Sequence, residues 1–90
     1  MPAITLTVNH AAGLHARPAA EFVKTALAFP CQINVRNVTD DTSRANAKSI
    51  LSILTLGVDQ GCVIEIVAEG DRAEEALNAL AQLVRSNFGE

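Results

Sequence analysis

The chain has 90 residues, a formal net charge of -3, and a composition that is 49% apolar and 3% aromatic. A chain of this length forms one small domain, which we expect to cover residues 1–90. With so few aromatic residues, Val, Ile, Leu and Ala must build its core. The negative charge and the lack of a Lys or Arg cluster argue against a nucleic-acid-binding protein, because proteins bind phosphate backbones through basic patches.

The sequence has no segment that resembles an export signal or a membrane span. The opening "MPAITLTVNH" has neither a basic leader nor a sustained apolar run. No later segment approaches the ~20 apolar residues that cross a bilayer. We therefore expect a cytoplasmic protein that does not insert into membranes.

The first strand and the first helix are predicted from hydrophobic periodicity. The segment "ITLTV" (4–8) alternates apolar and polar residues, which is typical of a strand with one buried face. After a turn at Gly13, apolar residues recur at helical spacing up to position 27. Because Pro18 is tolerated only in the first turn of a helix, this helix must begin at about His15 or Ala16.

Two more strands and a short helix are predicted next. "CQINVRNV" (31–38) alternates again, "TDDTSR" is a polar turn, and "ANAK" is long enough only for a short third strand. Ser49 then precedes "ILSILTLG", which predicts a short helix with Ser49 at its N-cap and Gly57 near its C-terminal end.

The last part of the chain predicts a strand followed by a helix. In "VIEIVAE" (63–69) the inward positions are Ile64, Ile66 and Ala68. Asp71 and Glu74 have the spacing of a capping box at the start of the final helix. The order βαββαβα predicts an α+β fold, a two-layer open-faced β-sandwich in which three helices cover one face of a four-stranded antiparallel sheet.

The start of the first helix has the features of a phosphoryl-binding site. Its free backbone N–H groups and partial positive charge bind anions. His15 is placed at this end, and a neutral imidazole is a nucleophile. Arg17 adds a positively charged guanidinium, whose paired N–H donors suit the oxygens of a phosphoryl group. Gly13 allows the sharp turn before the helix. The pattern predicts a histidine that is itself phosphorylated. His10 has no such neighbours, and we interpret it as a polar residue at the end of a strand.

Neither the cysteines nor the histidines are spaced like metal ligands. Cys31 and Cys62 lack the close spacing of a redox or zinc motif, and we expect both to be buried free thiols at opposite ends of the sheet. Neither His10 nor His15 has a carboxylate or thiolate at ligand spacing. We therefore expect no metal site and no cofactor.

Two motifs resemble those of a known family. "GLHARPAAEFVK" (13–24) and "NAKSILSILTLGVDQG" (46–61), in this order and separation, are similar to the histidine-containing phosphocarrier (HPr) family of the phosphoenolpyruvate-dependent sugar phosphotransferase system. The similarity extends to the closing "AEGDRAEEALNALAQLV". The resemblance implies a phosphoryl group on the δ1 nitrogen of the histidine, taken from phosphorylated enzyme I and passed to enzyme IIA components.

The resemblance also implies roles for individual residues. His15 would accept the phosphoryl group, Arg17 would pair with its charge, and the amides of Ala16 and Arg17 would bind its oxygens. Ser49 stands where some members have a regulatory serine phosphorylated by an ATP-dependent HPr kinase. Serine is also a preferred helix N-cap, and enteric-type members have a serine here without that kinase.

A partner-docking patch is implied on the first two helices, and we expect Ile53 and Leu56 beside it to point inward. Its residues are Ala20, Lys24, Ile50, Leu51, Leu54 and Thr55. The sequence departs from the family pattern at three places. Ala12 stands where many members have a hydroxyl or amide side chain, and Leu27 stands where enteric members have a basic residue. The "VTDDTSR" turn is also longer than usual.

Two other classes of function stay open. The chain could be a nitrogen-type or regulatory relative of the sugar carriers, or a carrier for dihydroxyacetone phosphorylation. Each of these would use the same phosphoryl-transfer chemistry with different partners. It could also be a small-molecule-binding regulatory module, because a fold does not determine a function. RNA binding on the sheet is disfavoured, because it needs exposed aromatic and basic residues. We expect a monomer.

Overall fold

The structure is a computed structural model that describes residues 2–90. Its strands are β1 (Ala3–Thr7), β2 (Gln32–Asn37), β3 (Ala45–Asn46) and β4 (Val63–Glu69). They form one sheet in the order β1-β4-β2-β3, and every neighbouring pair is antiparallel. Strands β4 and β2 are therefore each paired on both edges, while β1 and β3 are the edge strands.

Three helices complete the fold: α1 (Ala16–Leu27), α2 (Ile50–Leu54) and α3 (Ala73–Arg85), followed by a short final turn (Asn87–Gly89). Helix α3 contacts β1, β4 and α1, while α2 contacts α1 and β3. The predicted fold class and element order are confirmed. None of the helices in residues 2–90 is long and apolar enough to cross a membrane.

The core lies between the helices and the inner face of the sheet. The predicted inward residues of β4, Ile64, Ile66 and Ala68, have no exposed surface. Helix α1 begins at Ala16, as predicted from the position of Pro18, which is buried. Burying these apolar side chains stabilises the fold by roughly 25 cal/mol per Å² of surface removed from water.

The predicted capping box at the start of α3 is wrong. Arg72, not Asp71, precedes the helix, in a left-handed conformation with φ of 63° and with no side-chain cap. The N–H of Ala73 donates to the carbonyl of Gly70, so a backbone turn closes this end. The Arg72 guanidinium binds Glu75 at 3.0 Å and lies 5.0 Å from the centre of the Phe29 ring. These contacts hold Arg72 at the turn, so the Asp71 side chain is not needed as a cap.

The one buried polar side chain among residues 2–90 belongs to Asn37. Its amide donates to the carbonyl of Leu56 at 3.1 Å and to Asp40 at 3.0 Å. Because a buried polar group must be hydrogen-bonded, this side chain joins the end of β2 to the segment after α2. That segment leads directly into the site described below.

The two cysteines, Cys31 and Cys62, are free and buried, as predicted. Cys31 precedes the end of β2 that pairs with Glu69, and Cys62 precedes the opposite end of β4, at Val63. They therefore belong to opposite ends of the sheet.

Candidate functional site

His15 lies immediately before α1 in an extended conformation, with φ of -123° and ψ of 164°, and its side chain makes no cap hydrogen bond. The imidazole is 40% exposed. Within residues 2–90, the N–H groups of Ala16 and Arg17 have no protein acceptor, and Pro18 has no N–H to offer. The start of α1 thus combines an accessible imidazole with two free backbone donors.

Gly13 brings the loop before His15 against the loop that follows α2. Its φ is 62°, and a Cβ at this position would lie 2.2 Å from the carbonyl oxygen of Val58 and 2.8 Å from the Cα of Asp59. The N–H of Leu14 donates to the same Val58 carbonyl at 2.9 Å. Glycine is favoured here because this conformation strains a residue with a side chain and because a Cβ would overlap the Val58 carbonyl.

Asp59 is a site residue that the sequence analysis missed. Its Oδ1 lies 3.1 Å from Nε2 of His15, although the two residues are 44 positions apart in the sequence. Asp59 falls inside the second family-like motif, but nothing in the spacing of that motif points to His15. Only the packing at Gly13 brings the carboxylate to the imidazole.

Ala16 has an unusual backbone conformation, with φ of 51°. The left-handed region costs a residue with a side chain roughly 1–2 kcal/mol, and strain of this kind is concentrated at functional sites. The conformation results from the change of direction between His15 and the helix. It belongs to the same short segment whose N–H groups are free.

The side chain of Arg17 is half-exposed and binds the last residues of the chain. Its guanidinium lies 2.7 Å from a carboxylate oxygen of Glu90 and donates to the carbonyl of Phe88 at 3.4 Å. The Glu90 carboxylate also binds Nε2 of His10. The His10 ring packs edge-to-face on Phe88, with ring centres 5.7 Å apart. These contacts were not predicted from the sequence, and we call the residues that make them the Glu90 cluster (His10, Arg17, Phe88 and Glu90).

We expect the Glu90 cluster to open in acid. Hydrogen bonds from His10 and then from Arg17 hold the pKa of the Glu90 carboxyl below its ordinary value. A lowered pKa means that the contact stabilises the fold above the ordinary carboxyl pKa and is lost as the pH falls through the lowered value. An NMR titration should therefore show the ring signals of Phe88, which is part of this cluster, changing at acid pH as Glu90 becomes protonated.

Glu90→Gln should remove this transition, while Glu74→Gln, which changes an exposed carboxylate on α3, should leave it intact. A Glu90→Gln protein whose Phe88 signals titrate like those of the wild type would contradict the assignment.

The predicted docking patch is exposed. Leu51 is 75% exposed, Ile50 41% and Leu54 39%, while Ile53 and Leu56 are buried, as predicted. The other patch residues, Ala20, Lys24 and Thr55, are also exposed. Since α1 and α2 are in contact, the patch occupies the outer surface of one pair of neighbouring helices.

Ser49 is the N-cap of α2, as predicted. Its hydroxyl accepts a hydrogen bond from the N–H of Ser52 at 3.3 Å, and its carbonyl accepts one from Ile53 at 3.0 Å. The structure therefore gives Ser49 a local structural role at the edge of the docking patch.

Comparison with known proteins gives the same family as the motifs. The family model described as "PTS HPr component phosphorylation site" matches residues 3–86. The phosphocarrier protein HPr of Pseudomonas aeruginosa is 39% identical over 90 residues, which cover 100% of this chain and 98% of that protein. The multiphosphoryl transfer protein of Haemophilus influenzae is 37% identical over 96% of this chain, but the match spans only 17% of that longer protein.

A solved structure supports the same assignment. The crystal structure of HPr-C-His from Thermoanaerobacter tengcongensis has 50% sequence identity and a TM-score of 0.95, and the match covers 100% of this chain and 98% of that chain. The agreement therefore includes the strand order and all three helices. Since the family model and a relative of almost equal length both match nearly the whole sequence, this chain belongs to the HPr family, the phosphocarrier proteins of the phosphotransferase system.

Proposed function

We propose that His15 accepts a phosphoryl group from phosphorylated enzyme I and passes it to enzyme IIA components. The observation that supports this most directly is the position of His15, half-exposed at the start of α1 beside the free N–H groups of Ala16 and Arg17. A phosphoryl group bonded to this imidazole can receive hydrogen bonds from donors that have no partner among residues 2–90.

The transfer needs one bond to form and one to break. A lone pair on the imidazole Nδ1 attacks the phosphorus of the donor, and the electron pair of the broken bond stays with the donor's leaving atom. In the second transfer the pair of the P–Nδ1 bond returns to His15 as a nucleophile on the acceptor attacks the phosphorus. Positioning and charge stabilisation are the main requirements of such a reaction.

Arg17 can stabilise the phosphoryl group by changing partners. Its guanidinium is bound to Glu90 and to the carbonyl of Phe88. A phosphoryl group on His15 would carry two negative charges, whereas the Glu90 carboxylate carries one. The two groups would compete for the N–H donors of the Arg17 guanidinium. We propose that Arg17 makes this exchange when His15 is phosphorylated.

The test is incubation of the protein with phosphoenolpyruvate and enzyme I from the same organism, followed by intact-protein mass spectrometry and ³¹P NMR. One acid-labile phosphoryl group supports the carrier function. A protein that takes up no phosphoryl group would instead be a binding module on the same fold, which is the other class left open by the sequence. A second incubation with purified enzyme IIA components distinguishes a sugar carrier from a nitrogen-type or regulatory relative.

We propose that the docking patch contacts these partners, and that Leu51 contributes most because it is the most exposed large apolar side chain among residues 2–90. Leu51→Ser should raise the KM of enzyme I for this carrier about fivefold, since removing one interface side chain of this size costs about 1 kcal/mol. Thermal unfolding should stay within a degree or two of the wild type, because little buried surface is lost.

Leu51→Met is the matched control, since it keeps an apolar side chain of similar size and should restore the KM. If Leu51→Ser transfers phosphoryl groups with wild-type kinetics, this residue is not part of the interface.

Regulation at Ser49, the cytoplasmic location and the monomeric state stay predictions. A phosphate on Ser49 would change the oxygen that now accepts the cap hydrogen bond from the N–H of Ser52. It would also add negative charge beside the docking patch. Incubation with ATP and an HPr kinase, followed by the same mass measurement on wild type and Ser49→Ala, tests the regulation. Sedimentation velocity measures the oligomeric state.

A further inference from the structure

The imidazole of His15 has one nitrogen bound to a carboxylate. Nε2 lies 3.1 Å from Oδ1 of Asp59. An ionised carboxylate has no proton to donate, so the nitrogen that faces it must carry the hydrogen. In a neutral imidazole the other nitrogen, Nδ1, then has the free lone pair. The contact thus selects which nitrogen of His15 is the nucleophile.

The Asp59 backbone is held firmly in place against the loop that contains His15. Gly13 packs so closely on Val58 and Asp59 that no side chain fits between the two loops. Further hydrogen bonds join the two loops or close the turn after Asp59. They are Leu14 N–H to Val58 O, Gly61 N–H to Val8 O, Val8 N–H to Cys62 O, Cys62 N–H to Asp59 O, and Gln60 Nε2 to Asn9 O.

We propose that Asp59 is a positioning residue for phosphoryl transfer through His15, which rests on the carrier function proposed above. Its carboxylate holds the hydrogen on Nε2 and orients the ring so that Nδ1 faces incoming phosphorus. At metal sites, a hydrogen bond donated by the second ring N–H of a histidine to a carboxylate fixes the tautomer and the ring orientation in the same way.

The proposed role needs no proton to move. When Nδ1 bonds to phosphorus, positive charge develops on the ring and is shared with Nε2–H, next to the Asp59 carboxylate. When the P–Nδ1 bond breaks, its electron pair returns to Nδ1 and the ring becomes neutral again. The hydrogen stays on Nε2 throughout, and the carboxylate favours the charged ring in between.

The size of the effect is limited by solvent, because the side chain of Asp59 is 80% exposed and that of His15 is 40% exposed. Pairs this accessible contribute little energy. We therefore expect Asp59→Ala to slow phosphoryl transfer from enzyme I about two- to fivefold, the range that such pairs allow. Asp59→Asn, whose amide oxygen can still accept from Nε2–H, should recover part of this loss.

Two measurements on the same proteins test the proposal. Single-turnover transfer from phosphorylated enzyme I gives the rate, and ¹⁵N NMR of the imidazole nitrogens gives the tautomer. His10 is an internal reference in the NMR experiment, because its Nδ1 accepts from the N–H of Ala12 at 3.0 Å and does not contact Asp59. Asp71→Asn is the matched control variant, since it removes one exposed carboxylate at the opposite end of β4.

The expected result for Asp59→Ala is a slower transfer together with a new population of His15 that has its hydrogen on Nδ1. Asp71→Asn should match the wild type in both measurements. If the rate or the tautomer of Asp59→Ala is unchanged while the wild type is phosphorylated, the positioning role is wrong and the carrier function stands. If the wild type accepts no phosphoryl group from enzyme I, the carrier function fails, and the role of Asp59 in transfer fails with it.

Discussion

His15→Ala should accept no phosphoryl group from enzyme I, while His10→Ala should accept one. The chain has only these two histidines. The His10 ring is only 11% exposed, and both of its nitrogens are already used, by Glu90 and by the N–H of Ala12. The His15 ring is 40% exposed, and the geometry leaves its Nδ1 free.

The two variants are distinguished by intact-protein mass spectrometry after incubation with phosphoenolpyruvate and enzyme I. The stability of His15→Ala should be close to that of the wild type, because the lost side chain is half-exposed and makes one hydrogen bond. A phosphoryl group on His15→Ala, or its absence from a folded His10→Ala protein, would show that the wrong histidine has been assigned.

Gly13→Ala should lower the free energy of unfolding by about 3 kcal/mol, from strain and from the displacement of packed backbone. The new Cβ would lie 2.2 Å from the Val58 carbonyl oxygen, so the two loops must separate. Separation stretches the hydrogen bond from Leu14 to Val58 and moves Asp59 away from His15. Phosphoryl transfer should slow as well, because the positions of both side chains depend on this packing.

Gly57→Ala is the matched control for Gly13→Ala. Gly57 has φ of 61°, almost the same as the 62° of Gly13, but a Cβ there would meet nothing within 4 Å. Its substitution should lower the free energy of unfolding by only about 1 kcal/mol, the strain of the left-handed conformation. Denaturant unfolding measures both values. Equal losses in the two variants would show that the close approach at Gly13 contributes nothing.

Local patterns in the sequence predicted most of the fold. Alternation over residues 31–38 and 63–69 predicted β2 and β4, and the position of Pro18 predicted where α1 begins, because these signals depend on neighbouring residues only. The cap of α2 at Ser49 was predicted for the same reason. The cap of α3 was not, since Arg72 is held by Glu75 and by the ring of Phe29, which is far away in the sequence.

Patterns along the chain were enough to predict the order of elements, the inward faces of the strands, and His15 as the candidate nucleophile beside Gly13 and Arg17. The groups that surround these residues follow from the packing of distant segments. Asp59 reaches His15 across 44 positions, and the carbonyl of Phe88 reaches Arg17 across 71. Such contacts depend on how the loops at one end of the sheet pack together, and no local periodicity, turn or cap signal encodes that packing.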